Sequence, residues 1–329
     1  MKISKFHLLL AALILTFVAC KPSKQYNEQT TDYSKTDIPL FNADSAYSYV
    51  AEQCSFGPRV PMSEAHRRCG EYIIDFMKRH CDTVYEQRFN TELYDGTAVT
   101  GTNIIAVINP SATDRVLLAA HWDSRAWADN DKDTANHNKP VMGANDGASG
   151  VGILMEIARI IKTKPCNQGI DIVFFDLEDQ GAPSWADYQA EDQRDWCLGS
   201  QYWSQNLHLP FYTANYGILL DMVGYSSARF TKEYQSMGYA ESIMNKVWDV
   251  AASLGYGNIF LNERTAGIMD DHVWVNHYAK IPMIDIVQND AQTNFFPHWH
   301  TTSDDLKAIS KTTLQAVGKV CLTTIYSVQ

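Results

Sequence analysis

Six side chains able to bind a metal or carry a proton stand at the ends of apolar runs or in the turns beside them: His121, Asp146, Glu178, Asp179, Asp221 and His300. The pair Glu178-Asp179 is the focus. It follows Ile170 to Phe175, a short run of β-branched and aromatic residues suited to a central strand covered on both faces. Carboxylates at the C-terminal end of such a strand lie where open α/β sheets place their ligands. Two adjacent acids invite division of labour, one binding a metal and the other handling protons, and Gly181 is placed to turn the chain away. An acidic loop that merely solvates the strand end is the bland alternative.

The other four, and Asp270 beside them, come with contexts of their own. His121 ends the apolar run Val116 to Ala120, and Asp123 can orient its imidazole in a metal site or a proton relay; a histidine satisfied at a strand terminus is the alternative. Asp146 sits in Gly143-Ala144-Asn145-Asp146-Gly147-Ala148-Ser149-Gly150, just ahead of an apolar helix from Val151 to Ile161. It could cap that helix, yet capping does not require so open a surround, and the small neighbours leave space for a ligand. Asp221 closes Gly217-Ile218-Leu219-Leu220, where burying a carboxylate is costly unless it is paired or bound to a metal. His300 ends an aromatic loop, Phe295-Phe296-Pro297-His298-Trp299-His300. Asp270 opens a short helix with Asp271, His272 and Trp274, and reads equally as its cap. Six acids and imidazoles along one sheet edge would be hard to keep without a cation. Mixed His and carboxylate donors suit zinc with one position left open; calcium would take more oxygens and fewer imidazoles.

The elements that must position these groups are legible in outline. A helix runs from Ala43 to Cys54 and stops at Gly57-Pro58. Ser63 caps a second, with Ile73, Ile74, Phe76 and Met77 as its apolar stripe. Thr83 to Phe89 alternates like an edge strand, and Asn103–Ile108 and Val116–Ala120 are two strands joined by the turn at Asn109-Pro110. The polar loop Trp127 to Val141 is of the kind that borders a site. Tyr239 to Leu254 is an amphipathic helix ended by Gly255, and Ile281 to Val287 is a further strand. Thr302 or Ser303 caps a last long helix that buries Leu306, Ile309, Leu314, Val317 and Val320.

The N-terminus is a targeting segment. Lys2 and Lys5, the apolar run Leu8 to Val18 and the small Ala19 form a signal over residues 1–19, too short for a strong membrane span. Phe17-Val18-Ala19-Cys20 resembles a bacterial lipoprotein signal, which implies lipidation of Cys20 and an exported, membrane-anchored protein, on the periplasmic face or the outer membrane of a Gram-negative-type bacterium. Residues 20–37 read as the lipidated Cys and a polar tether, and 38–329 as one catalytic α/β domain. Loss of residues 1–19 removes two lysines and no acid, moving the formal charge from −11 to −13 and excluding nucleic acid as a natural partner. Six cysteines follow Cys20, none at metal-knuckle spacing, so Cys-ligated zinc is not expected and pairing stays open.

In order, Ala120-His121-Trp122-Asp123-Ser124, Ala144-Asn145-Asp146-Gly147-Ala148-Ser149, Phe174-Phe175-Asp176-Leu177-Glu178-Asp179, Leu220-Asp221-Met222-Val223-Gly224, Asp270-Asp271-His272 and Trp299-His300 resemble the zinc-dependent aminopeptidase superfamily, and within it the animal-type glutaminyl cyclases and their bacterial relatives. The resemblance implies a three-layer α/β sandwich with a central mixed, mostly parallel twisted sheet. For the cyclase branch it implies a monomer that converts N-terminal glutamine of peptides and proteins to pyroglutamate and ammonia, with one zinc on Asp146, Asp179 and His300. Glu178, Asp221 and Asp270 would be catalytic, and Trp299, Trp185 and Phe296 would bind substrate. Met269 departs from that branch, standing where the animal enzymes carry an amide side chain. The peptidase branch would hold two zinc ions, bridged by Asp146, with His121 and Asp221 on one and Asp179 and His300 on the other; His121 and Asp123 otherwise lie behind the metal. A secreted two-zinc aminopeptidase is therefore the second reading, and a binding protein on an inactive peptidase fold the third.

Overall fold

The computed structural model describes residues 38–188, 191–290 and 295–327. The expected signal, Cys20 and the tether lie outside the described residues. The rest falls within one compact unit, Tyr33–Gln329. In chain order the strands are β1 (Thr83–Glu92), β2 (Ala98–Ile108), β3 (Arg115–His121), β4 (Gly169–Phe175), β5 (Tyr216–Asp221), β6 (Phe230–Glu233), β7 (Phe260–Thr265) and β8 (Met283–Val287). The helices are α1 (Ala43–Ser55), α2 (Glu64–His80), α3 (Ala148–Thr163), α4 (Leu198–Gln205), α5 (Tyr234–Ser253), α6 (Asp271–Trp274) and α7 (Lys311–Tyr326).

Six strands form the central sheet in the order β1-β2-β4-β3-β5-β8, with β6 and β7 a separate parallel pair. The block β4-β3-β5-β8 is parallel, and β1 and β2 extend it antiparallel. β2 and β3, consecutive in sequence, do not pair; β4 lies between them. Every residue of β3, β4, β5 and β8 is buried, as their largely apolar sequences require of strands covered on both faces, with Asp171 and Asp285 as acidic residues inside the run. Strand alternation still sorts the side chains. Leu118, Ala120, Ile172, Phe174, Ile218 and Leu220 face a large core with α1, α2, α3, α5 and α7, whereas Leu117, Ala119, Val173, Phe175 and Leu219 meet Trp203 of α4 on the other side. The result is a three-layer α/β sandwich whose parallel strands all deliver their C-terminal ends to one edge.

Local signals act mostly as expected. Ser63 accepts the His66 N–H at the start of α2, and Gly255, at φ +84°, follows the end of α5. The last helix differs. Leu306–Ala308 is a separate 3-10 turn capped by Asp305, and α7 begins only at Lys311. Thr302 is drawn away to Asp131, to which its hydroxyl donates at 2.6 Å. No described helix is long and apolar enough to cross a membrane, and among the described residues all six cysteines are free.

Candidate active site

The shared edge gathers the acids and imidazoles. His121 is the last residue of β3 and Asp221 the last of β5, while Asp179 follows β4 by four residues. Asp146 enters from the turn before α3. His121 Nε2 lies 3.0 Å from Asp146 Oδ1 and 3.3 Å from Asp221 Oδ1. His300 Nε2 lies 3.0 Å from Asp179 Oδ1 and 3.8 Å from Asp146 Oδ2. Two trios therefore share Asp146: Asp146, Asp179 and His300, and His121, Asp146 and Asp221, each with its ligand atoms within 4.8 Å of one another.

The backbone is forced into shape here. Leu177, Met222 and His300 hold left-handed φ values of 59°, 48° and 55°, a conformation that costs a non-glycine residue about 1–3 kcal/mol and collects at functional sites. Gly147, at φ +90°, passes over the His121 ring, where a Cβ would stand 3.0 Å from the imidazole. Gly181, expected to turn the chain, is not left-handed; its missing side chain makes room for the Trp196 indole.

A layer of charge behind the trios fixes their geometry, of which Asp123 is legible in the sequence as the partner of His121 and the rest is not. Asp129 in the polar loop faces His300 Nδ1 at 3.3 Å and is itself gripped by Arg125, buried, through two bonds of 2.9 and 2.6 Å. Arg125 also donates to the Asp179 and Gly181 carbonyls, tying the two loops together. Burial alone would raise the Asp129 pKa, but Arg125 and His300 hold it well below the usual carboxylate range. Asp123 accepts the N–H groups of Glu178 and Asp179 at 3.1 and 3.2 Å and lies 3.5 Å from His121 Nδ1. Asp304 accepts from the Asn145 and Asp146 N–H groups, holding the ligand turn open. Only the residue type of Asp129, an acid in a site-bordering loop, could have flagged it beforehand; Arg125 and Asp304 carry no local signal.

A cavity of about 290 Å³ opens over these groups, lined by Asp146, Glu178, Asp179, Asp221, Asp270 and His300 on its floor and by Trp196, Met269, Phe295 and Trp299 on its walls. Two expected wall residues are elsewhere. Trp185 is 46% exposed, stacks on His137 and does not line the cavity; Trp196, eleven residues on, does, held by Arg125 4.5 Å from its ring. Phe296 is buried in an apolar cluster with Met222, Val287 and Ala308 and does not line the cavity, whereas Phe295, partly buried against the same cluster, does. Trp299 packs against the His300 ring at 3.9 Å.

The acids crowd one another, and Arg125, 3.9 Å from Asp179, is bonded to Asp129 and balances them only in part. Burial raises Glu178 well above the ordinary glutamate value; His121 opposes that and Asp179 and Asp270 reinforce it. Burial likewise lifts Asp221 to about 7. For His300 burial works downward and is the largest single influence, but the Asp179 and Asp129 carboxylates together outweigh it and the imidazole ends above its usual value. The cluster fits a cation. Among the described residues, Asp179 Oδ1 and His121 Nδ1 are buried with no hydrogen bond of good geometry, although His300 Nε2 stands 3.0 Å from the former. His300 turns one nitrogen to Asp129 and the other toward Asp146 and Asp179, as a metal-ligating histidine does. Mixed nitrogen and carboxylate donors suit zinc.

A twisted, largely parallel sheet carrying such a cluster at its C-terminal edge defines a metallopeptidase-like α/β protein. The profile of peptidase family M28 matches residues 103–325, and the chain belongs to that family. Aminopeptidase YwaD of Bacillus subtilis is 27% identical over 281 residues, 81% of this chain but 54% of that protein, so the chain spans about half the length of that relative. The crystal structure of a Bacteroides thetaiotaomicron glutaminyl cyclase bound to N-acetylhistamine superposes with a TM-score of 0.87 at 47% identity, covering 89% of this chain and 100% of that one. A zinc-dependent exopeptidase from Parabacteroides distasonis does so at 0.86 and 48% identity, covering 88% and 99%.

Proposed function

We propose that this chain is a zinc-dependent glutaminyl-peptide cyclotransferase, converting N-terminal glutamine to pyroglutamate and ammonia. The observation that carries this is the small cavity in which Glu178, Asp221 and Asp270 face the Asp146, Asp179, His300 trio beneath the Trp299 indole, on a chain 47% identical to a solved glutaminyl cyclase along nearly its whole length. One zinc, held by Asp146, Asp179 and His300, would polarise the γ-amide carbonyl of the substrate. Glu178 accepts a proton from the substrate α-amine as that nitrogen bonds to the carbonyl carbon of the γ-amide, Cδ, and closes the five-membered lactam. The amide C–N bond breaks, and Glu178 returns the proton to the departing ammonia. A carboxyl whose pKa is lifted by burial is suited to hold the proton between those two steps. Trp299, Trp196 and Phe295 give the cavity apolar walls for a flat, neutral side chain. Holding amine and amide in one cavity removes much of the entropic barrier, and no water enters the reaction.

Incubation of the purified protein with a Gln-initiated peptide, followed by mass spectrometry, tests this: loss of ammonia is expected, and loss of the whole first residue would overturn it. A two-zinc aminopeptidase is the second reading, favoured by the convergence of His121 and Asp221 on Asp146. Two metals per chain together with released amino acids would establish it. Export and a lipid on Cys20 complete the proposal: lipid-precursor labelling is expected in the wild type and absent in Cys20→Ser, and an unlabelled wild type removes the anchor. A monomeric mass in light scattering is expected.

A further inference from the structure

Glu178 must keep its carboxyl aimed through two proton transfers, yet among the described residues one hydrogen-bond donor reaches that carboxyl. It is the thiol of Cys197, with Sγ 3.4 Å from Glu178 Oε1. His121 Nδ1 stands 3.8 Å away, outside hydrogen-bond range. Cys197 is fully buried and holds a left-handed backbone, φ 56°, directly before α4. That strained position is pinned from both sides. The Cys197 N–H donates to the Glu178 carbonyl at 2.9 Å, and the next N–H, of Leu198, donates to the carbonyl of Leu177, itself left-handed, at 3.0 Å. The Cys197 carbonyl in turn accepts the Ser200 hydroxyl at 3.1 Å. The start of α4 is thus fastened to the backbone that carries Glu178, and its first side chain is delivered to the carboxyl.

From this geometry we infer that Cys197 is a positioning residue for the base, holding the Glu178 carboxyl toward the substrate amine. A thiol suits the task. It donates weakly to a carboxylate and its sulfur accepts weakly from a carboxylic acid, so Glu178 keeps a partner whether or not it carries the proton. A lysine or arginine there would favour only the charged form.

The inference rests on Glu178 being the base of the proposed cyclisation, so the variants are read side by side on the zinc-loaded enzyme with a Gln-initiated peptide. Cys197→Ala lowers kcat about 3- to 10-fold, the span of one ordinary hydrogen bond, with KM, zinc content and melting temperature close to wild type. Cys197→Ser, leaving a similar gap but keeping a donor, recovers most of that loss, because the Glu178 side chain can follow the shorter group. Equal losses in both variants would mean that Cys197 only fills space, and an unchanged kcat in Cys197→Ala would mean that it does not position the base; either overturns the inference. Should alanine fail to fold, Cys197→Gly, at ease in the left-handed backbone and without a donor, takes its place. Glu178→Gln separates the two levels: full activity there removes the base assignment itself, whereas an inactive Glu178→Gln beside an unaffected Cys197→Ala removes only the role of the thiol.

Discussion

The parallel strands β3 and β4 bury acids at both ends and treat them differently. At the N-terminal end Asp171 receives two bonds from Arg115, at 2.7 and 2.8 Å, and a third from Tyr212 at 2.9 Å, while Arg115 spends its remaining donors on the Asn109 and Ala112 carbonyls. That acid is matched to its own cation. At the C-terminal end Asp146, Glu178, Asp179 and Asp221 meet two imidazoles, and the nearest guanidinium, Arg125, lies 3.9 Å from Asp179 and is committed to Asp129. Among the described residues, the buried Asp179 Oδ1 there has no hydrogen bond of good geometry. A buried ion pair that closes on itself holds a strand in place; a cluster left short of positive charge is one that a ligand must complete.

The contrast can be broken or sharpened by experiment, and the largest effect is expected at the open end. Glu178→Gln should leave zinc bound and reduce turnover by about 10³- to 10⁴-fold, within the range of a lost general acid–base; bound metal by elemental analysis with undiminished turnover would refute the assignment. At the closed end, Arg115→Met leaves Asp171 buried and unpaired, and denaturant titration should show a loss of about 3–4 kcal/mol. Turnover per folded molecule should not change, and a catalytic defect in fully folded protein would contradict a purely structural pair.

A smaller effect is expected behind the metal trio. Asp129→Asn removes the charge facing His300 Nδ1 and should weaken zinc binding about 10- to 100-fold in competition with a chelator; unaltered affinity would detach Asp129 from the site. The smallest lies beside Tyr212. Burial lowers the His208 pKa from 6.5 to about 4, so His208 is neutral in the folded protein and takes up a proton on unfolding below about 6.5. Its contribution is complete above that pH and is lost as pH falls toward 4, by at most about 2 kcal/mol given its partial exposure. His208→Phe should flatten that acid limb, and a limb of the same slope would assign the loss to other groups.

Where a functional side chain sat directly on an element's end, its sequence position was enough. Asp221 closes a strand whose every residue is buried, and Glu178-Asp179 follow one equally covered; the parallel sheet then sends both to one edge. Loop residues were less readable. Trp185 and Trp196 share one loop and one chemistry, and the path set by Arg125 and Gly181 decides which indole meets the cavity. Phe295 and Phe296 are adjacent and identical in type, yet only Phe295 lines the cavity while Phe296 goes to the core. Thr302 resembled a helix cap until Asp131, 171 positions away in sequence, took its hydroxyl.

By itself the sequence determined the six strands of the central sheet, though not the β6-β7 pair, together with the order of acids and imidazoles along the chain and the donor chemistry of the site, because burial and periodicity are local properties of a chain. The tertiary structure alone decided which acids are paired, that Asp304 holds the turn of Asp146 across 158 residues, and that a thiol rather than a charge touches Glu178. Those outcomes depend on distances between segments remote in sequence, which no local pattern encodes.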